Sequence, residues 1–131
     1  MKKFVLIPLV VSIITLLGFS LAAGEAGFTV KKFAVGTGVQ DREIVGAAEA
    51  FSASSTVYYF LEANNIVSDT EVSVVWSHGG KEMLKTALQL KSGPKWRTWA
   101  NKNLMGLKGD WKVELKATDG TVVSALNFKA E

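Results

Sequence analysis

The run Pro94-Lys95-Trp96-Arg97-Thr98-Trp99-Ala100-Asn101-Lys102 holds the densest side-chain chemistry of this 131-residue chain. Two Trp residues flank an Arg, and from Lys91 to Gly109 there are five cations, Lys91, Lys95, Arg97, Lys102 and Lys108, with no acid. A flat indole can carry a sugar ring or an apolar group of a partner, while Arg97, Lys95 and Lys102 can hold an anionic group. In an extended strand Trp96, Thr98 and Ala100 share one face, and Arg97, Trp99 and Asn101 share the other. The first set is the more apolar, so Trp96 is expected inward and Arg97 with Trp99 outward. There the guanidinium can lie near the indole, a contact contributing about 0.5–1 kcal/mol when exposed. The plainer reading is an edge strand guarded from pairing by Lys and Pro94, with a bulge that lets both Trp residues pack.

Other chemistries find little support. With no Cys there is no disulfide framework, thiolate nucleophile or Cys-based metal site. The single His, His78, sits beside Gly79-Gly80 and reads as an exposed turn residue without a partner. A Ser or Thr nucleophile would need a base, and no motif supplies one. Glu62, Glu71, Asp110 and Glu114 fall at strand ends or on wet faces, where solvated charges normally stand. Asp41 with Glu43, and Asn64, Asn65 and Asp69, match no metal-ligand spacing. No metal, no cofactor and no enzymatic activity are expected.

The elements that must position the Trp-Arg run begin after an apolar leader. Met1-Lys2-Lys3 precedes the run Phe4 to Leu17, and Ser20 and Ala22 fit the small-residue cleavage rule. Residues 1–22 are therefore expected to be a secretion signal peptide, leaving 23–131 as a single domain outside the cytoplasm, periplasmic or secreted. An uncleaved anchor is the alternative, since Phe4 to Ala23 is long enough to span a bilayer as a helix. Membrane contact is expected only in that case. At 48% hydrophobic and 21% charged the composition is that of an ordinary globular chain. Without Lys2 and Lys3 the formal +3 falls to +1, with 13 basic residues against 12 acidic. So weak a net charge offers no global field for nucleic acid.

The rest of the chain reads as strands and turns. Phe28 to Val35 is a first strand ending at Gly36-Thr37-Gly38, and Gln40-Asp41-Arg42-Glu43 is a polar loop. Ile44 to Phe51 is a short strand or extended connection, where Gly46 argues against a helix. Thr56 to Glu62, β-branched and aromatic, is a central strand covered on both faces and stopping at Asn64-Asn65. Glu71 to Ser77 alternates, with Val72, Val74 and Trp76 on one face, and His78-Gly79-Gly80 turns it into Lys81 to Leu90. On that return Leu84, Thr86, Leu88 and Leu90 share a face, and Ser92-Gly93-Pro94 ends it. Trp111, Val113, Leu115 and Ala117 alternate with Lys112, Glu114, Lys116 and Thr118, giving one wet face. Asp119-Gly120 predicts a hairpin into Thr121 to Lys129, with Leu126 and Phe128 inward. About seven short strands, with turn signals roughly every ten residues, predict an all-β fold, an immunoglobulin-like antiparallel β-sandwich. Trp76 is the expected central aromatic, with Trp96, Trp111, Val113, Leu115 and Phe128 in the core.

Trp76 with Gly79-Gly80 and Lys81-Glu82, then Trp96-Arg97-Thr98-Trp99 with Lys102, then Gly109-Asp110-Trp111-Lys112-Val113-Glu114, Asp119-Gly120 and Phe128, carry a resemblance. In that order, from about Phe33 to Phe128, the chain resembles the bacterial domain of unknown function 2914 family. The family pattern often places a His two residues before the first Trp and a Ser after the Trp-Arg-Thr-Trp run. Here Val74 and Ala100 stand there. The resemblance implies an envelope-associated protein and assigns no activity.

The expected function is that of an exported, non-catalytic envelope module that binds another protein through a sandwich face or the Trp-Arg edge. The alternative is a glycan-binding module for cell-wall or surface polysaccharide, with Arg97, Trp99, Lys95 and Lys102 as ligand-binding residues in either case.

Overall fold

The computed structural model describes residues 27–131. The expected signal peptide or anchor, residues 1–22, lies outside the described residues. Ten strands follow: β1 (Thr29–Gly36), β2 (Gly38–Gln40), β3 (Glu43–Val45), β4 (Ala50–Phe51), β5 (Thr56–Ile66), β6 (Thr70–His78), β7 (Lys81–Leu90), β8 (Gly93–Asn103), β9 (Gly109–Lys116) and β10 (Val122–Ala130). Among the described residues no helix is long and apolar enough to cross a membrane. The described residues are all-β, and their sheets are antiparallel apart from one short parallel pairing of β4 with β10. One sheet has the order β1-β5-β8, the other β4-β10-β9-β6-β7, and β2 with β3 forms a separate hairpin.

Residues of both large sheets form a single apolar cluster. Val57, Tyr59 and Leu61 enter it from β5, and Trp76, Trp111, Val113, Leu115 and Phe128 from the five-stranded sheet. The alternation of β9 therefore reads as expected, with Trp111, Val113 and Leu115 buried and Lys112 exposed. Trp76 is fully buried and meets Phe128 edge to face at 6.3 Å, while Trp111 stacks on the same ring at 6.1 Å. Across the core the Tyr59 hydroxyl lies 3.1 Å from Ser124 Oγ, so the phenol that crosses between the sheets is satisfied. Burial pushes its pKa up. Trp96 departs from expectation. It is on the core-facing side and packs against the cluster, yet is only half-buried, because β8 is a sheet margin and among the described residues no strand pairs beyond it.

Three of the ten strands, β2, β3 and β4, come from the stretch read as a polar loop followed by a short strand or extended connection. Asp41 and Arg42, at φ 52° and 62°, make the two-residue turn of the β2–β3 hairpin. Paired positive φ values suit the strand twist there, and an Asp-Arg pair lacks the Gly that usually signals them. The hairpin folds back tightly on β1: the Thr37 N–H donates to the Val45 carbonyl at 3.0 Å. A Cβ on Gly36 would run into that same carbonyl, so glycine is required by the close approach. The central strand also runs past Asn64-Asn65 to Ile66, with Asn65 at φ 52°.

Candidate binding face

Strand β8 forms the margin of the three-stranded sheet and pairs with β5 in unbroken register from Thr56↔Asn103 to Asn64↔Lys95. No register shift interrupts it, so the expected bulge is absent and the alternation holds. Inward go Trp96, Thr98, Ala100 and Lys102; outward go Lys95, Arg97, Trp99 and Asn101. On β5 the outward set is Tyr58, Phe60, Glu62 and Asn64. The pairings Phe60↔Trp99, Glu62↔Arg97 and Tyr58↔Asn101 then bring an aromatic row, an ionic row and a polar row together on one surface.

In the aromatic row Phe60 is 0% exposed although it points away from the core cluster. Trp99 covers it, with ring centroids 6.5 Å apart and planes 12° from parallel. Lys32 Nζ stands 5.8 Å from the Phe60 centroid on the other side. Trp99 itself remains 39% exposed. One face of the indole is thus fixed on a buried ring and the remainder is open to solvent.

In the ionic row the Arg97 Nε–H donates to Glu62 Oε1 at 3.2 Å. Its Nη2 lies 3.4 Å from Glu43 Oε2 on the β2–β3 hairpin, and Lys32 Nζ reaches the other oxygen of Glu43 at 3.4 Å. Lys95 Nζ is 4.0 Å from Glu62 Oε2. Charges of alternating sign therefore run Lys32, Glu43, Arg97, Glu62, Lys95, and tie the hairpin to the sheet. Exposed pairs of this kind contribute about 0–1 kcal/mol each. Glu62 is different, because it is only 7% exposed and a carboxylate so placed needs its partner.

The sequence-based site thus separates. Arg97 and Trp99 share the outer face as expected, but the guanidinium turns to Glu62 and Glu43 and not to the indole. Lys95 stays exposed at the rim. Lys102 does not belong to the face: by strand alternation it points inward, is buried, donates to the Asn103 carbonyl at 2.8 Å, and lies 5.9 Å from the Trp111 ring. Glu62, Glu43 and Phe60 were not anticipated as members. Glu62 reads in sequence as a solvated strand-end acid, and only the register with Arg97 shows otherwise. His78 also departs from expectation, since its Nε2 lies 2.8 Å from the Lys108 carbonyl and its ring 5.0 Å from that of Trp111.

Surface hollows are also present on the five-stranded sheet. One of about 390 Å³ is lined by Glu49, Asp110, Asn127, Phe128 and Lys129, and the Lys129–Asp110 ion pair at 2.6 Å lies along it. That contact holds the Asp110 carboxyl below its ordinary range and raises Lys129. Among the described residues no three His, Asp or Glu side chains converge to hold a metal ion.

A family model described as "Protein of unknown function (DUF2914)" matches residues 69–130. The span covers β6 to β10 and every motif from Trp76 to Phe128, so the resemblance is borne out there; residues 33–68 fall outside the match. No curated protein matches the chain. Among solved structures, the alkylpurine DNA glycosylase AlkC of Pseudomonas fluorescens, bound to DNA containing an abasic site analog, is similar at TM-score 0.54 and 9% identity, over 80% of this chain and 30% of that one. A β-glucosidase from Listeria innocua in complex with glucose gives TM-score 0.50 and 9% identity, over 76% of this chain and 16% of its own. A β-glucosidase from Erythrobacter marinus gives 0.51 and 6%, over 76% and 15%. The chain spans under a third of each of these proteins, and the likeness is one of fold alone.

Proposed function

We propose that this chain, whose residues 69–130 match a family model whose description names no activity, is a non-catalytic binding module that docks a protein on the outer face of its three-stranded sheet. The observation that carries the reading is Trp99: 39% exposed, on a marginal strand, and already stacked on buried Phe60. An aromatic side chain held in place before binding loses little conformational freedom on contact. Trp, Arg and Tyr are the residues that dominate protein interfaces, and Trp99, Arg97 and Tyr58 lie on this one face. The charged groups beside Trp99 are committed to one another, which favours a structural role for them over acid–base work.

Two further readings complete the proposal. The two sheets and their shared cluster are those of an immunoglobulin-like sandwich, supported by the three- and five-stranded orders. The domain, 23–131, works outside the cytoplasm in the cell envelope, supported by the Met1-Lys2-Lys3 end and the apolar run after it. Its mature mass in an envelope fraction checks that assignment: a chain beginning near Ala23 supports export by a cleaved signal, and a full-length chain in the membrane supports the anchor.

Asn101 favours a second reading. It follows Trp99 by two residues on the same face, and a ring beside an amide is an arrangement suited to a saccharide. A photo-crosslinker at Asn101, set against one at exposed Lys112 on the other sheet, tests the first reading in producing cells. A discrete protein adduct specific to position 101 supports it, and no adduct beyond the Lys112 control overturns it. Co-sedimentation with isolated cell-wall glycan tests the second. Salt-resistant binding lost on Trp99→Ala supports a glycan module, because stacking is screened little by ions.

A further inference from the structure

Four strands stand at the margins of the two large sheets: β1 and β8 in one, β4 and β7 in the other. A marginal strand presents unpaired backbone N–H and C=O groups to any strand that can approach, and proteins commonly blunt such margins with short length, Pro, charge or a bulge. Three of the four are blunted. β4 has two residues, β1 carries a register shift between Val30 and Lys32, and β8 opens with Gly93-Pro94 followed by Lys95.

β7 is not blunted along most of its length. From Leu84 to Leu90 it pairs with Trp76 back to Thr70 without a break; the one shift lies at its start, between Trp76 and Ser77. Those seven residues contain no Gly or Pro and one charge, Lys85. Leu84, Thr86, Leu88 and Leu90 face the core side, opposite Trp76, Val74, Val72 and Thr70. Leu84 is nevertheless 39% exposed and Leu88 half-buried, because among the described residues no strand pairs beyond β7.

We propose that β7 pairs with the β7 of a second copy of this chain, antiparallel about a two-fold axis with Thr86 opposite the partner's Thr86. The register follows from the side chains. Opposed residues lie on one face only when their numbers have the same parity, so a symmetric pairing that keeps at least three residues of the regular run centres on Lys85, Thr86, Ala87, Leu88 or Gln89, and the last two leave Leu84 beyond the end of the partner's β7. Centring on Lys85 sets two like charges against each other. Centring on Ala87 sends Leu84 to the partner's Leu90, which is already fully buried and has no surface to offer. Centring on Thr86 sets Leu84 against the partner's Leu88, twice by symmetry, and Lys85 against the partner's Ala87. The half-exposed leucines then cover each other, and within the regular run no cation faces a cation; Lys81 meets the partner's Lys91 only at the ends of the pairing. Such a contact is isologous and closes at two copies. It joins the five-stranded sheets of both into one, and leaves Trp99, on the outer face of the other sheet, open in each copy.

The chain has no Cys, so single cysteines report the register cleanly. Opposed residues of an antiparallel pair lie about 4.5–5.5 Å apart at Cα, within disulfide range. In the Thr86-centred register Gln89 stands opposite the partner's Met83, so the two Gln89 positions are six residues, or about 20 Å, apart. The full chain with Thr86→Cys, under mild oxidation, is expected to form a covalent dimer, and Gln89→Cys to stay single. Light scattering of the unsubstituted chain is expected to rise with concentration from one chain to two. Leu84→Lys should hold it at one chain with an unchanged circular dichroism spectrum. A single chain at every concentration overturns the proposal, as does equal linking at the two cysteine positions or a Leu84→Lys chain that still pairs.

Discussion

The outward residues of the two sheets have opposite fates. On the three-stranded sheet Phe60 and Glu62 point away from the core and are buried; on the five-stranded sheet the register partners Lys112 and Asn127 point away and are exposed, with Glu114 half-buried two residues along from Lys112. Among the described residues only Val75 is a buried hydrophobic on that second face outside the core cluster, between its register partners Lys85 and Glu114. The difference comes from the β2–β3 hairpin, latched at Gly36, which folds over the first sheet and has no counterpart on the second. A sheet face becomes a second apolar layer only when something covers it, and at the edge of that cover Trp99 is held in a fixed pose. Rigid exposed aromatic surface is thus a by-product of covering one face and leaving the other wet.

Truncation should separate the faces most clearly. Phe60→Ala removes a fully buried ring and is expected to cost about 3–5 kcal/mol. Val75→Ala removes two methyl carbons from a thin cover, for about 2 kcal/mol. Urea denaturation of both measures this, and equal losses would mean that the hairpin cover adds nothing beyond ordinary strand packing. Trp99→Ala, whose side chain is partly open, should cost only about 1–2 kcal/mol, beyond which it could not serve as a clean binding variant.

The ionic row gives a smaller effect. Glu62→Gln leaves Arg97 facing a neutral amide and should lower stability by about 1.5–3 kcal/mol, the range for a hydrogen bond to a charged group. Arg97→Gln should cost a similar amount. The double variant should cost less than the sum of the singles, since each single leaves the other group unpaired. Additive losses would show that the pair is screened by solvent and that the hairpin is held by Phe60 and Gly36 alone.

Much of the five-stranded sheet was legible in the sequence. Strict alternation from Trp111 to Ala117, Gly79-Gly80 and Asp119-Gly120 are local signals, and local signals set strands and turns. The three-stranded sheet's outer face was not legible for the same reason. Glu62 and Arg97 are 35 residues apart, and Glu43 belongs to a turn without glycine, so nothing local marks them as partners. Parity placed Arg97 and Trp99 outward correctly. The same parity applied one step further places Lys102 inward, against its charge. Burial there is tolerable because the long aliphatic stem packs on apolar surface while the ammonium finds the Asn103 carbonyl.

The smallest expected effect is the pH dependence, and it belongs to the five-stranded side. Asp69 is held low chiefly by the Ser92 N–H, Asp119 by Thr121, and Asp110 by Lys129. A depressed folded-state pKa contributes stability that is present above the unfolded carboxylate value of about 3.9 and is lost as the pH falls through the folded value. Stability should therefore stay level down to about pH 4 and decline gently below it. Asp110→Asn should flatten part of that decline. At the other end both shifts are upward. Lys129 contributes fully below the ordinary lysine value and loses its share as the pH rises through its raised pKa. Buried Tyr59 stays protonated while its unfolded counterpart ionises, which favours unfolding above about pH 10. The alkaline limb should be the steeper, because Tyr59 is enclosed between the sheets while the three aspartates stand in water. Tyr59→Phe removes the titrating group and leaves the aromatic ring in place. Thermal melts of that variant from pH 8 to about pH 11 should lose most of the alkaline decline; an unchanged limb would assign it to surface lysines and not to the core.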